Sequence, residues 1–359
     1  METLPTHKDL EGLIGNFDIE QGIYRFERIN QGYINNTYLV LKNKDPFYVL
    51  QRINCEVFPN ITAVMGNITK ALPYLHDKRY ASVGLIPTKS GESYCEIEDS
   101  SYWRLWEYVP YSTAYNNAKN PAMAFEAGRI LGQFHTLLQH APTEQFEDTI
   151  PLFHNLQLRE AQFAKAVKGA SKEKLLAANA AISFVNSTLD IFSELSQIDL
   201  PLRLCHNDTK MNNILFSKES NKALCFIDLD TLMKGYFYYD FGDLVRTIAN
   251  VAQEDEREHR KISFDKELFE AFLDGLATND HFLTSAELQS LPLGTVFMPF
   301  IHGLRALTDY LNNNQYYKVS YPNQNLDRSL SLFDFSKKAL NELAYMQELV
   351  AKKWKLFPH

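Results

Sequence analysis

The sequence predicts an α+β protein of two lobes, a small β-rich lobe over residues 1–109 and a larger helical lobe over residues 110–359. Three observations predict it. Strand-like segments crowd the first third of the chain, and helical periodicity dominates the rest. One short β island, between Pro201 and Asp228, interrupts the helical part. The chain has 359 residues, 45% of them apolar, enough to give each lobe its own core.

In chain order, "IYRFERI" (Ile23–Ile29), "NTYLVLK" (Asn36–Lys42) and "PFYVLQRI" (Pro46–Ile53) alternate or cluster β-branched and aromatic residues and predict strands, with Asn43, Lys44 and Asp45 as the turn between the last two. A helix follows around Asn60–Leu75. The segments "GLIPTK", "SYCEIE" and "YWRLWEYV" then predict three short strands joined at "SGE" and "DSS". The lobes join near Val109–Tyr111. "PAMAFEAGRILGQFHTLLQH" (Pro121–His140) places Pro at a first helical position and apolar residues at i, i+3, i+4. "SKEKLLAANAAISFVNSTLDIFSELSQ" predicts one helix of about seven turns. The β island is "PLRLC", "NNILF" and "KALCFID", and helical patterns resume at Asp240.

Composition excludes several classes. Net charge is −8 and spread along the chain, which argues against a nucleic acid or an anionic membrane as partner. No segment approaches the ~18 apolar residues of a membrane span, and the first residues lack the apolar run of a signal peptide. Cys55, Cys95, Cys205 and Cys225 are widely spaced, as expected of reduced thiols in a cytoplasmic protein. No zinc-ligand spacing, Walker A pattern or G-x-S-x-G elbow is present.

The strongest chemical signal is "CHNDTKMNNILF" (Cys205–Phe216). An apolar strand ends, polar residues fill a loop, and a second apolar strand begins. Asp208 and Asn213 stand five residues apart, the D-x-x-x-x-N spacing of a phosphoryl-transfer loop. The aspartate must reach an acceptor hydroxyl while the asparagine amide reaches a metal ion on the phosphates. Lys210 is placed to neutralise charge on the transferred group. The metal needs a further carboxylate, and Asp228 stands where the apolar run Ala223–Ile227 ends. A carboxylate there is costly without a cation. Asp230 shares its face if the strand continues. The literal "DFG" at Asp240–Gly242 comes twelve residues later at an apparent helix start. Asp240 is expected to accept backbone hydrogen bonds from the catalytic loop rather than to bind metal.

These segments, with "IDLD", "DFGDLVR" and "EAGRILGQFHTLL", resemble the aminoglycoside phosphotransferase and choline kinase group, which has the bilobal protein-kinase-like fold. "YINNTYLV", "IDLDTLM" and "YPNQNLDR" resemble the branch of that group that phosphorylates N-acetylhexosamines at the anomeric hydroxyl. The resemblance spans nearly the whole chain. It implies ATP as co-substrate, Mg2+ as cofactor, Asp208 as catalytic base, and Asn213 and Asp228 as metal ligands. It implies that the backbone of Glu107 to Val109 meets adenine, and that "NQGYINNTY" covers the phosphates through Gly32, Asn35, Asn36 and Thr37. Arg305, Asp309 and Tyr316 fall at positions resembling the sugar-binding part, where hydroxyl donors, acceptors and an aromatic platform are needed.

One departure stands out. Kinases usually place a lysine on the third strand to hold phosphates, and here Gln51 takes that place with Arg52 beside it. Either a bulge turns Arg52 inward, or phosphate holding relies on magnesium and the loop. The expected activity is ATP-dependent phosphorylation of N-acetylglucosamine or N-acetylgalactosamine. The alternatives are another small alcohol (choline, ethanolamine, homoserine, an aminoglycoside) or a catalytically silent nucleotide-binding scaffold.

Overall fold

The structure, a computed structural model, describes residues 5–29, 35–97 and 101–356. Helix α1 (His7–Ile14), capped by a reciprocal Thr6–Asp9 box, precedes strands β1 (Tyr24–Ile29), β2 (Asn36–Lys42) and β3 (Asp45–Arg52). Asn43 and Lys44 both take left-handed φ values, 54° and 74°, which turn β2 directly back into β3. Helix α2 (Ile61–Ala71), β4 (Leu85–Ile86), β5 (Cys95–Ile97) and β6 (Ser101–Glu107) follow. The antiparallel order is β1-β2-β3-β6-β4, with β5 also on β6. Leu10, Leu13 and Phe17 seal one face of this sheet against Val40, Leu50 and Leu105, a small core of its own.

The chain then leaves the sheet. Strand β7 (Ser112–Thr113) already pairs with β9 (Ile214–Ser217), which forms a hairpin with β10 (Ala223–Phe226). Helix α3 (Pro121–Leu138) has Asn120 as N-cap and Pro121 at its start, as its sequence predicts. Packing divides the molecule differently from chain order. Phe58, Ile61, Val64, Ile68, Leu75 and Tyr80 join the larger core, so α2 packs with the helical lobe although it precedes residue 109.

Two segments differ from expectation. A helix not read from sequence, α4 (Leu156–Gly169), precedes the supposed seven-turn helix. That helix is instead α5 (Lys172–Ala177), α6 (Asn179–Thr188), a 3-10 turn and α7 (Ser193–Gln197). The breaks have local causes. The Ala178 N–H reaches the carbonyls of both Leu176 and Lys174, and Thr188 bonds back to the Phe184 carbonyl at 2.7 Å. The second difference concerns the β island. Met233–Gly235 is a strand that pairs with Arg203–Cys205, so "PLRLC" joins this strand rather than the hairpin.

The remaining helices are α8 (Phe237–Ile248), α9 (Lys266–Leu276), the 27-residue α10 (Ser285–Leu311), α11 (Gln324–Asn341) and α12 (Leu343–Lys353). Helices α3 and α9 cross at Gly128 and Gly275, where a Cβ on either would strike the other helix's backbone. That close approach fixes α3, and with it His135, beneath the catalytic loop. Among the described residues no helix is long and apolar enough to cross a membrane.

Candidate active site

The loop from His206 to Asn213 lies at the floor of a cleft of about 1010 Å3, at the upper end of single-ligand pockets and roomy enough for two reactants. Its shape is set from below. Asp240, fully enclosed, accepts the His206 N–H on Oδ2 at 2.7 Å and the Asn207 N–H on Oδ1 at 2.7 Å. His135 Nε2 lies 2.9 Å from Oδ2, and the Thr209 hydroxyl donates to the Asp240 carbonyl at 2.6 Å. Helix α8 begins at Phe237, so Asp240 lies within its first turn rather than at its cap. These bonds hold Asn207 in a left-handed conformation, φ 61°, which turns the next side chain, Asp208, toward the cleft.

Asp208 Oδ2 accepts from Lys210 Nζ at 2.8 Å and from Asn213 Nδ2 at 3.0 Å. Burial opposes its charge, but the Lys210 ammonium prevails and holds the carboxyl below its ordinary range. Asp208 is therefore ionised at neutral pH. Asn213 Nδ2 also donates to the Asp208 carbonyl, which leaves the amide oxygen as the atom available to a cation.

Strand β10 stops at Phe226, so Asp230 does not share a strand face with Asp228. Asp228 is left-handed, φ 64°, and Leu229–Thr231 form a 3-10 turn. The two carboxylates consequently diverge. Asp228 lines the cleft, and burial followed by repulsion from Asp230 pushes it up to about 6. A half-enclosed carboxylate with its charge so disfavoured, facing Asn213 and Asp208, fits a site for a divalent cation.

Asp230 is buried and paired with Arg104 of β6, and its Oδ2 accepts Asn35 Nδ2 at 2.7 Å. Arg104 Nε donates to Gln51 Oε1 at 3.0 Å, Trp106 Nε1 donates to the same oxygen at 2.9 Å, and Gln51 Nε2 donates to Thr37 Oγ1 at 3.2 Å. The Gln51 side chain is thus tied at its oxygen by two donors and at its nitrogen to Thr37. The only register shift between β2 and β3 lies at Val40/Leu41, far from Arg52. Arg52 therefore stays on the face opposite Gln51, outside the cleft, and the bulge alternative fails.

Asn36 shares that outer face, with its side chain 3.5 Å from Arg28, and it does not line the cleft either. Thr37 and Asn35 do line it, though Asn35 Oδ1 is taken by the Asn54 N–H at 3.0 Å. Gly32 lies outside the described residues. Glu107 and Val109 line the cleft at the lobe junction.

At the far end, the Arg305 guanidinium stacks 4.5 Å from the Phe153 ring and 6.0 Å from that of Tyr316, and both Arg305 and Tyr316 face the cleft. Asp309 does not. Its carboxylate takes the N–H groups of Gln315, Tyr316 and Tyr317 at 2.8–3.0 Å and Asn325 Nδ2 at 2.9 Å, so it shapes the loop that presents Tyr316. Sequence reasoning missed Arg246, Glu254, His302 and Arg328, which line the same end. Glu254 bridges Arg246 and Arg328; burial opposes its charge, but the two guanidinium groups hold it down to about 2. Burial and the neighbouring arginines keep His302 neutral. Arg246 and Arg328 end the segments "DFGDLVR" and "YPNQNLDR", but nothing in either segment marks the arginine as facing a ligand, and Glu254 and His302 belong to no recognisable spacing. Arg104 did leave a signal, an arginine amid the apolar run "YWRLWEYV", which requires a buried partner.

A kinase-like fold with a carboxylate, a lysine and an amide gathered in the interlobe cleft defines a phosphotransferase. The chain belongs to the phosphotransferase enzyme family typified by the aminoglycoside phosphotransferases, which it matches over residues 25–278. It is similar in fold to a microcompartment-associated aminopropanol kinase at 15% identity, TM-score 0.63, covering 93% of this chain and 96% of that one. A spectinomycin phosphotransferase determined with ADP and spectinomycin is similar at 13% identity, TM-score 0.59, over 97% and 100% of the two chains. A choline kinase from Cryptosporidium parvum is similar at 13% identity, TM-score 0.60, over 98% and 99%.

Proposed function

We propose that the protein transfers the γ-phosphoryl group of ATP to the anomeric hydroxyl of N-acetylglucosamine or N-acetylgalactosamine. The observation that carries the transfer reading is Asp208, ionised and bonded to Lys210 and Asn213 at the cleft floor. Asp208 would orient the acceptor hydroxyl and take its proton, a role worth about 10²–10⁴ in rate. Lys210 would stabilise charge on the phosphoryl group in flight. Asn213 and Asp228 would hold Mg2+, which when bound neutralises phosphate charge. The N–H groups of Glu107 and Tyr108 are taken by the carbonyls of Gly84 and Phe47, so an adenine edge would meet the Val109 N–H. Thr37 would offer its hydroxyl proton to a phosphate oxygen.

The acceptor end favours a neutral polyol over a cationic amine. Arg246, Arg305 and Arg328 line it, and Glu254 is already neutralised between two of them. A choline or aminoglycoside acceptor would need several unpaired carboxylates or an open aromatic cage, whereas here Arg305 already faces the Phe153 and Tyr316 rings and Asp255 adds a single negative charge. An amino-alcohol acceptor is the second reading, favoured by the names of the structurally similar kinases. Metal-dependent ADP release with N-acetylglucosamine, N-acetylgalactosamine, choline, ethanolamine, homoserine and kanamycin tests both. Turnover with the hexosamines, accompanied by loss of the reducing end and abolished in Asp208→Asn, supports the sugar reading. Turnover with an amine alone discards it. Nucleotide binding without turnover on any acceptor favours the silent scaffold.

A further inference from the structure

Protein kinases hold the nucleotide with a lysine on the third strand, paired to a glutamate on the helix behind the sheet. Neither group exists here. Gln51 occupies β3, and α2 offers Met65, whose sulfur lies 3.8 Å from Arg104 Nη1. The cation stands one strand further on, at Arg104, and its carboxylate is Asp230, two residues after Asp228. Thr37, Gln51 and Arg104 are direct partners across β2, β3 and β6, so they form one row on one face of the sheet. Thr37 and Gln51 line the cleft, and Arg104, with 0% exposure, is enclosed behind them.

We propose that the Arg104–Asp230 ion pair is the positioning element that couples the small sheet to the turn bearing Asp228, in place of a strand lysine and a helix glutamate. Arg104 is too enclosed to touch a nucleotide, so it acts through Asp230 and Gln51. Asp230 is tied to the sheet at two points, to Arg104 on β6 and to Asn35 at the entry to β2. The turn that carries it is tied in turn to the catalytic loop. The Thr231 hydroxyl donates to the His206 carbonyl at 2.7 Å, and Asn207 Nδ2 donates to the Thr231 carbonyl at 3.1 Å. A displacement of the sheet is thereby transmitted to the position of Asp228. The proposal rests on the phosphotransferase reading with Asp228 as a metal ligand and is independent of the acceptor.

The test is calorimetric titration of the full chain with ADP, with and without Mn2+, so that the readout is the gain in ADP affinity that the metal confers. Two variants are compared with wild type, each with its melting temperature. Asp230→Asn keeps the shape and removes the charge. Arg104→Met/Asp230→Leu removes both charges together, which leaves no buried ion without a partner and separates coupling from stability. The metal-dependent gain should fall about 10–100-fold in both, the range for partners that orient metal ligands, while metal-free ADP affinity stays at the wild-type value. A folded variant of either kind that keeps the full wild-type gain overturns the proposal, and Asp230→Asn alone suffices if the double variant does not fold. A wild-type chain whose ADP affinity gains nothing from Mn2+ removes the metal reading itself, and the proposal falls with it.

Discussion

The two walls of the cleft are built by opposite strategies. The catalytic wall is assembled from a contiguous stretch, with Asp208, Lys210, Asn213 and Asp228 inside 21 residues of chain. The sheet wall is assembled across strands, with Thr37, Gln51, Arg104 and, from the other lobe, Asp230 brought together from distant parts of the chain. On the proposed reading the loop presents a base and a metal amide, which has few workable spacings because both side chains leave one short backbone segment. A buried row across a sheet has many solutions. What matters there is that one position of the row carries the cation, and hydrogen bonds can relay its placement to the others.

The largest effect should come from the catalytic wall. Asp208→Asn should lower kcat by about 10²–10⁴ with little change in melting temperature, measured by ADP release and thermal unfolding. Full activity in this variant would remove Asp208 from the chemistry. Next is Asp240→Ala. It strips partners from the His206 and Asn207 N–H groups and from His135, each buried donor costing about 1–3 kcal/mol. Urea unfolding should show a loss of several such increments with activity lost in parallel. A stable, active variant would show that the loop holds its own shape.

Gln51→Lys bears most directly on the comparison. In a conventional kinase wall it would restore the strand lysine and tighten nucleotide binding. Here it should deprive Arg104 Nε and Trp106 Nε1 of their acceptor and set a second cation beside Arg104. Stability should fall by about 1–3 kcal/mol per orphaned donor, and ATP affinity should not improve. Tighter ATP binding would break the contrast between the walls. At the acceptor end, Arg305→Ala should raise KM for the sugar about tenfold, within the usual range for a charged hydrogen bond, and raise KM for ATP less. The smallest effect is expected at Asn36→Ala, on the outer face of the sheet. Stability should stay within about 0.5 kcal/mol and kinetics should match wild type.

The same physical distinction sorts what was legible. Strands β2 and β3, the capped start of α3 and the polar loop between two apolar strands carry their cause locally, in alternation, in capping residues and in turn chemistry. The seven-turn helix was misread because its breaks depend on the bonds Ala178 and Thr188 make, which composition does not announce. The strand Met233–Gly235 was not read from the sequence because its pairing partner lies upstream at Arg203–Cys205. The resemblance of its loop placed Asn36 over the phosphates, and Arg52 depended on a bulge to reach them. The strands keep a regular register there, so both side chains lie on the face opposite Thr37 and Gln51. Asp309 has side-chain chemistry suited to a sugar, but its oxygens are consumed by backbone donors of its own loop.

By itself the sequence determined the order of a β-rich region before a helical one, the polar loop between two apolar strands, and the place of Asp228 at the end of the apolar run Ala223–Ile227. Each follows from periodicity or from the reach of side chains along a short backbone. Only the tertiary structure decided where the sheet's cation lies, which carboxylate it pairs with, and which arginines line the cleft. Those depend on strand register and on contacts between lobes. Burial then forces each enclosed charge to find a partner, wherever in the chain that partner stands.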